Sequence, residues 1–439
     1  MKGLARLSSQ SLGLKIVRFV LGIGSAALLT RLMPIHEYGI YAYTLVIAAL
    51  LAIPGEAGMP NLVMREIARA RVDGNLPRIR GIVRFANLTV LSLTLIMAGI
   101  TAIVLWAAYS RIPPALHWSL VIVFPAILFG ALANTRAGIQ RGLGSPIASQ
   151  LPEQIVRPAA IIVFALIGWA IIGHGFNAVT GIIGFVLASA AAFVTGTVLL
   201  YRTYRAKVGP GPAESRTRAW LIALAPFSAI AGLQVAVVQV SAFMLGLTAP
   251  ASEMATFRIA TLGSDFAMFS TFAISALITP QFAELLHRGE KAKLQELIGR
   301  VNRMNVLFAG AVLTGIVVVA PWGLKFVFGQ AYSVSYLPMC ILAAGHLLGV
   351  SMGYVTTLAN MAARERATMI AAVFGLTLNA SLSAFLSSRY GAIGAASATA
   401  ITVVAWRLVL AIAMYRTLGV RAWAFSRTIP NAVKRFLPS

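Results

Sequence analysis

The chain has 439 residues, 59% of them hydrophobic, and 36 Lys and Arg against 12 Asp and Glu, for a formal charge of +24. A soluble protein this basic would point to nucleic acid, but the cations here sit in alternate short connections between long apolar runs, the pattern of a polytopic membrane protein. A single cysteine, Cys340, excludes an intrachain disulfide and a cysteine metal site, and the five histidines form no metal-binding motif.

Twelve spans are expected, since each needs about 20 residues. They fall at 12–33, 40–60, 85–109, 118–140, 153–173, 178–201, 220–247, 254–280, 304–328, 332–359, 367–387 and 391–415. The first run is too long for the core of a cleaved signal peptide and is closed by Arg31, so it reads as a span. The second is interrupted by Pro54-Gly55 and Pro60, and the eighth carries Arg258 and Asp265. With both termini cytoplasmic, thirty of the Lys and Arg flank the inner ends. Only Arg31, Arg111, Lys325 and Arg389 lie outside. Omitting one span would move every later loop to the other side, so an even number is expected. The stretch "HRGEKAKLQELIGRVNR" reads as an amphipathic cytoplasmic helix between spans eight and nine, and the basic tail "RTIPNAVKRF" as a short helix on the inner leaflet or a solvated tail.

"LMPIHEYGIYAY" from Leu32 can be laid over "TAPASEMATFRI" from Thr248, so that Pro34 meets Pro250, Glu37 meets Glu253 and Tyr41 meets Phe257. The division expected is an N-terminal lobe over 1–207 with spans one to six, and a C-terminal lobe over 208–439 with spans seven to twelve and a short basic cytoplasmic tail. Two parallel repeats of six would enclose a central path.

Charges inside a bilayer are costly and mark cavities or polar contacts. Arg258 and Asp265 lie seven residues apart on nearly one helical face, suited respectively to an anionic group and to coupling, or else to contacts between helices. Arg18 lies one to two turns into span one and Arg407 about two turns above the inner end of span twelve; each suits a phosphate or a snorkelling anchor. Arg31 at the outer mouth and the matched Glu37 and Glu253 could form gate contacts or be helix-end charges. Glu56, in "PGEAGMP", marks a helix break near the inner end of span two. Gln234, Gln239, Ser241, Asn87, Asn379 and Tyr354 offer hydrogen bonds suited to sugar hydroxyls or to helix packing.

The stretches "LLTRLMPIHEYGIYAY", "GMPNLVMREIAR", "ANTRAGIQRGLG", "MATFRIATLGSDFAMFSTFAISALITPQFAELLHRGE", "FGQAYSVSYLPMCILAAGHLLGVS" and "RYGAIGAASATAIT" resemble a known family. It is the oligosaccharide-lipid flippases of polysaccharide biosynthesis (O-antigen and exopolysaccharide type), within the multidrug/oligosaccharidyl-lipid/polysaccharide exporter superfamily. The resemblance implies an all-α fold of about twelve transmembrane helices in two six-helix lobes around a central cavity, in the inner or plasma membrane. It also implies that an undecaprenyl-pyrophosphate-linked glycan is flipped from the cytoplasmic to the outer leaflet by alternating access, for lipopolysaccharide or exopolysaccharide biosynthesis. The expected site is then Arg18, Arg31, Arg258, Arg407 and Gln234 for the cargo, with Glu37, Glu56, Glu253 and Asp265 for gating or coupling. Membrane lipids, a polysaccharide polymerase and export machinery are the expected partners, with no cofactor, metal, nucleic acid or enzymatic step. A small-molecule or multidrug exporter of the same superfamily is the alternative.

Overall fold

In the computed structural model, residues 2–362 and 364–419 are described, and all their regular structure is helical. The tail "RTIPNAVKRF" lies outside these residues. The helices are α1 (Lys2–Leu32), α2 (Ile35–Glu56), α3 (Met59–Val72), α4 (Leu76–Ala107), α5 (Pro114–Ile122) and α6 (Phe124–Gly142). Next come α7 (Pro146–Leu151), α8 (Arg157–Ile172), α9 (Ala178–Lys207) and α10 (Thr217–Thr248). Then follow α11 (Ala251–Ser264), α12 (Phe269–His287), α13 (Lys291–Val327), α14 (Tyr336–Ser351), α15 (Val355–Met361) and α16 (Glu365–Leu418). Among the described residues, ten helical stretches are long and apolar enough to cross a membrane. The chain is an all-α, multi-pass membrane protein.

Three of the twelve expected spans differ in form. Spans eleven and twelve fall in the single stretch Arg366–Thr417, which the non-helical Gly391 (φ 53°, ψ −131°) interrupts. A Cβ on Gly394 would stand 2.1 Å from the Leu386 carbonyl oxygen, a proximity that eight residues of straight helix forbid, so the chain reverses there into a tight αα-hairpin. The eighth span is broken: α11 stops at Ser264, and Asp265–Met268 form a 3₁₀ turn before α12. The expected amphipathic connector is continuous with span nine in α13, where Leu294, Ile298, Val301 and Asn305 repeat as its buried stripe.

The chain divides into two compact units, one running through Ala255 with Val327–Ala331 added, the other comprising Thr256–Phe326 and the described residues from Tyr332 on. The first unit packs α1 to α10. Its helix ends follow sequence punctuation. Pro34 precedes α2, as Pro250 precedes α11, so the two aligned stretches have the same stop–proline–start geometry. The Asn75 side chain caps α4 by accepting from Arg78 N at 2.9 Å, and Asn177 caps α9 by accepting from Thr180 N at 3.0 Å. Between α2 and α3 the chain turns through left-handed Ala57 (φ 44°) and Gly58 (φ 70°). Only glycine fits at 58, because a Cβ would fall 2.4 Å from the Phe227 carbonyl carbon of α10.

Lipid tails are as apolar as leucine, so close packing of small residues drives much of the association between helices. Gly138 and Gly142, four apart on α6, do this against α3: Cβ atoms there would meet Pro60 O at 2.4 Å and Ile67 Cβ at 2.8 Å. Around this contact Met59, Leu62, Val63, Ile79, Ile82, Leu143 and Trp220 form a buried core. At its edge Glu66 is 4% exposed and accepts from Arg78 Nη2, with Arg65 and Arg69 alongside at 3.2 and 3.7 Å. Burial alone would raise the Glu66 carboxyl, but the hydrogen bonds and charges of Arg78 and Arg65 hold it below the ordinary carboxylate range. The linker after α9 is strapped to α4 by Arg80, which donates to the carbonyls of Val208, Gly209 and Pro212.

In the second unit, α12, α13, α15 and α16 share a core of Phe282, Leu294, Ile298, Val355, Leu358, Leu410 and Met414. The helix α14 lies against α16 through Gly345 and Gly349.

Candidate functional site

Proline and charge meet at two places in the first unit, and both open onto one cavity. Pro54 lies inside α2 and Glu56 is its last residue, ahead of the left-handed turn. On the other side, "PEQIVRP" forms a π-type turn over Pro152–Val156 before α8. Pro158 has no N–H to donate back along the helix, which favours such local widening. The turn carries Glu153, and Arg157 follows it.

The cavity has a volume of about 470 Å³ and is lined by Glu56, Asn134, Arg157, Gln234 and Gln239 among alanines and other apolar side chains of α2, α6, α9 and α10. Asn134 Nδ2 donates to Glu56 Oε1 at 2.7 Å. Arg157 makes a two-pronged ion pair with Glu153, each prong 2.8 Å, and stands 5.7 Å over the Phe185 ring. Glu153 also feels the charge of Arg18, and Glu56 feels Glu153 and Arg157. Gln154 donates to Gln150 at 2.9 Å, yet its own buried Oε1 has no partner, nor has Arg157 Nε. Unfilled donors and acceptors beside a cavity are capacity for a ligand or water. With two carboxylates, two arginines and several amides, the site can hydrogen-bond hydroxyls, hold an anion at the arginines or hold a cation at the carboxylates.

Of the residues singled out from sequence, Glu56 and Gln234 line this cavity, and Arg18 is exposed within electrostatic reach of it. The others lie elsewhere. Glu37 Oε2 accepts from Ala178 N at 2.8 Å, at the start of α9. Arg31 Nε donates to the Val327 carbonyl at 3.1 Å. Glu253 stands in the first turn of α11. Arg258 and Asp265 are exposed on the second unit, close enough for the arginine to act on the carboxylate. Arg407, half-buried in α16, acts on His346 and Tyr354. Sequence reasoning passed over Asn134 and Glu153 and counted Arg157 among the orienting charges. For Glu153 and Arg157 the signal was an i,i+4 acid–base pair between two prolines at the head of an apolar run. Among the described residues no three His, Cys, Asp or Glu are placed to share a metal ion.

Residues 8–286 match the family model described as polysaccharide biosynthesis protein. None of the curated proteins matches the chain. Among solved structures, the fold is similar to a multidrug resistance MATE family transporter of the MOP superfamily in its inward-facing conformation, with TM-score 0.72 and 15% identity over 93% of this chain and 94% of that one. It is similar also to the lipid II flippase MurJ in an inward closed conformation, with TM-score 0.71 and 13% identity over 91% of this chain and 86% of that one. A third is a MOP superfamily transporter from Pyrococcus furiosus, described as having a binding pocket of reverse polarity that suggests a different function. It gives TM-score 0.63 and 16% identity over 95% and 96% of the two chains.

Proposed function

The chain belongs to the polysaccharide biosynthesis protein family, and from that membership we propose that it flips a polyprenyl-pyrophosphate-linked oligosaccharide from the cytoplasmic to the outer leaflet. Twelve spans in two lobes, with both termini cytoplasmic, would rock between inward and outward openings around the cargo. The cargo sets the physical problem: a sugar head and a pyrophosphate cannot cross about 30 Å of hydrocarbon unaided. The observation that carries the reading is the cavity of the first unit. Asn134, Gln234 and Gln239 suit hydroxyls, and Arg157 with Arg18 suits phosphate oxygens. No covalent step is required. Polymerase and export machinery acting on the flipped glycan would be the partners, in lipopolysaccharide or exopolysaccharide assembly.

A second reading, export of a small cationic molecule, is favoured by Glu56 within the cavity and Glu153 beside it. The fold is common to multidrug transporters and a lipid flippase and does not choose between them.

One reconstitution separates the two. Liposomes containing the protein are loaded on one leaflet with a fluorescent lipid-linked oligosaccharide, and in a parallel arm with a cationic dye. Faster exposure of the glycan than in empty liposomes, with no dye movement, supports flipping. Dye movement without glycan exposure replaces that reading with the second, and neither sinks both. Glu56→Gln keeps an acceptor for Asn134 but loses the charge, and is expected to slow transport at least about tenfold at unchanged folding. Unchanged transport would remove Glu56 from the site.

A further inference from the structure

Arg157 reaches the cavity wall already engaged. Its Nη1 and Nη2 each stand 2.8 Å from one oxygen of Glu153. The end-on fork with which a guanidinium grips a phosphate is therefore filled by the protein's own carboxylate. Nε, which a side-on fork would need, is buried. An anion entering the cavity gains the full grip of Arg157 only when Glu153 lets go. Acid and base ride on one local turn, since Arg157 N donates to Pro152 O, five residues back.

Few charges bear on this turn. Arg157 and, from α1, Arg18 act on Glu153, and Glu56 of α2 feels it in turn. The helix α7 carries no charged residue, α8 none after Arg157 and α9 none before Arg202. Arg136 of α6 lies over the Phe193 ring of α9, 4.2 Å from its centre. The two carboxylates and two arginines balance, so the group around Glu153 is neutral when empty. A pyrophosphate adds negative charge, and an ionised Glu153 left without Arg157 beside it would be expensive. A proton on Glu153 removes that cost. It cancels one charge and supplies an O–H, and the same turn holds a buried acceptor with no partner, Gln154 Oε1.

We propose that Glu153 is a displaceable counter-ion of Arg157: an oxyanion entering the cavity takes the guanidinium from it, and Glu153 takes up a proton from solvent as it leaves. Anion binding at Arg157 and protonation of Glu153 are then one linked equilibrium. The inference rests on the reading of this cavity as an anion site, and it adds a proton to each headgroup bound.

The test is equilibrium dialysis of ³²P-pyrophosphate against the full chain, purified in a neutral detergent. Glu153→Gln keeps the shape of the side chain and loses the competing charge. It is expected to bind pyrophosphate about tenfold more tightly than wild type in mild alkali. The gap should close in acid, where wild-type Glu153 is already protonated when the anion arrives. The probe's own titration is the same for both proteins and cancels in the ratio. Adding Arg157→Gln should remove the gain. If Glu153→Gln does not fold, Glu153→Asp draws the carboxylate back by one methylene and should tighten binding about threefold. Equal or weaker binding by the folded variant overturns the proposal, because the carboxylate then only positions Arg157. A gap independent of pH, a gain that survives Arg157→Gln, or no binding by any of these proteins overturns it too. Binding unchanged by Glu153→Gln leaves the transport reading standing, since glycan exposure in liposomes tests that separately. The expected binding without glycan exposure strikes the transport reading alone.

Discussion

Arg78→Ala probes how the first unit holds its buried carboxylate. Glu66 has two oxygens with unequal support. Oε2 is served by Arg78, while Oε1 is shared by Arg65 and Arg69, whose side chains are 38% and 61% exposed. Arg78 stands in the first turn of α4, where the helix dipole disfavours a cation, so its value there lies in the pair. Breaking a buried pair by removing one partner costs about 3–5 kcal/mol; the two remaining arginines reduce that to about 2 kcal/mol. In a unit of this size about 2 kcal/mol lowers the melting temperature by roughly 4–8 °C. The pH dependence fixes the cause. The Glu66 pKa is lower folded than unfolded, so its contribution is full above the unfolded value, about 4.5, and is lost as pH falls through the folded one. The gap between wild type and Arg78→Ala in detergent thermal melts should therefore be full at pH 7 and shrink in acid. Adding Glu66→Gln should recover part of the loss, because a neutral amide costs less to leave unpaired. A melt within about 1 °C of wild type at pH 7, or a gap independent of pH, refutes the reasoning.

Gly138→Ala places a methyl 2.4 Å from the Pro60 carbonyl oxygen and 2.8 Å from Pro60 Cα, both backbone atoms that cannot yield. A loss of about 1–3 kcal/mol is expected in thermal melts, while Gly99→Ala, with nothing within 4 Å, should be nearly silent. Glu37→Ala removes the acceptor for Ala178 N and should cost about 1 kcal/mol. Glu37→Gln keeps an oxygen there and should preserve both stability and transport; transport lost in a stable Glu37→Gln would make it a gate.

Helix boundaries were legible because they rest on local chemistry. Pro34 and Pro250 stop and restart helices, Asn75 and Asn177 cap them, and apolar runs of sufficient length become spans. The break at Asp265 was not legible, since hydropathy averages over a window and a single 3₁₀ turn hardly changes the average. The site was half legible. Glu56 announced itself by its helix-breaking neighbours, and Gln234 by its polarity in an apolar run. Arg157 did not, because a count along the chain treats every cation near a span end alike. What separates it from its neighbours is the π-type turn that brings it, paired with Glu153, to the cavity wall. Such a turn changes the angular register of the helix, and periodicity along the sequence cannot anticipate it.

The basic residues show how one signal can carry two meanings. A count along the sequence assigns most of them to orientation. Several also satisfy backbone carbonyls where helices end, the groups that regular helix geometry leaves unpaired. Lys207 Nζ donates at 2.7 Å to Leu143 O just past α6, Arg80 donates to Val208 O and Gly209 O just past α9, and Arg31 donates to the last residue of α13. A cation is favoured at a helix C-terminus by the dipole, and a long side chain can reach a carbonyl that water reaches poorly beside a membrane. The same excess that orients a chain thus also fastens its loops. Arg407 differs in place: it lies well inside a span, with its guanidinium beside Gly349 in the last turn of α14 and 5.7 Å from the centre of the Trp406 ring.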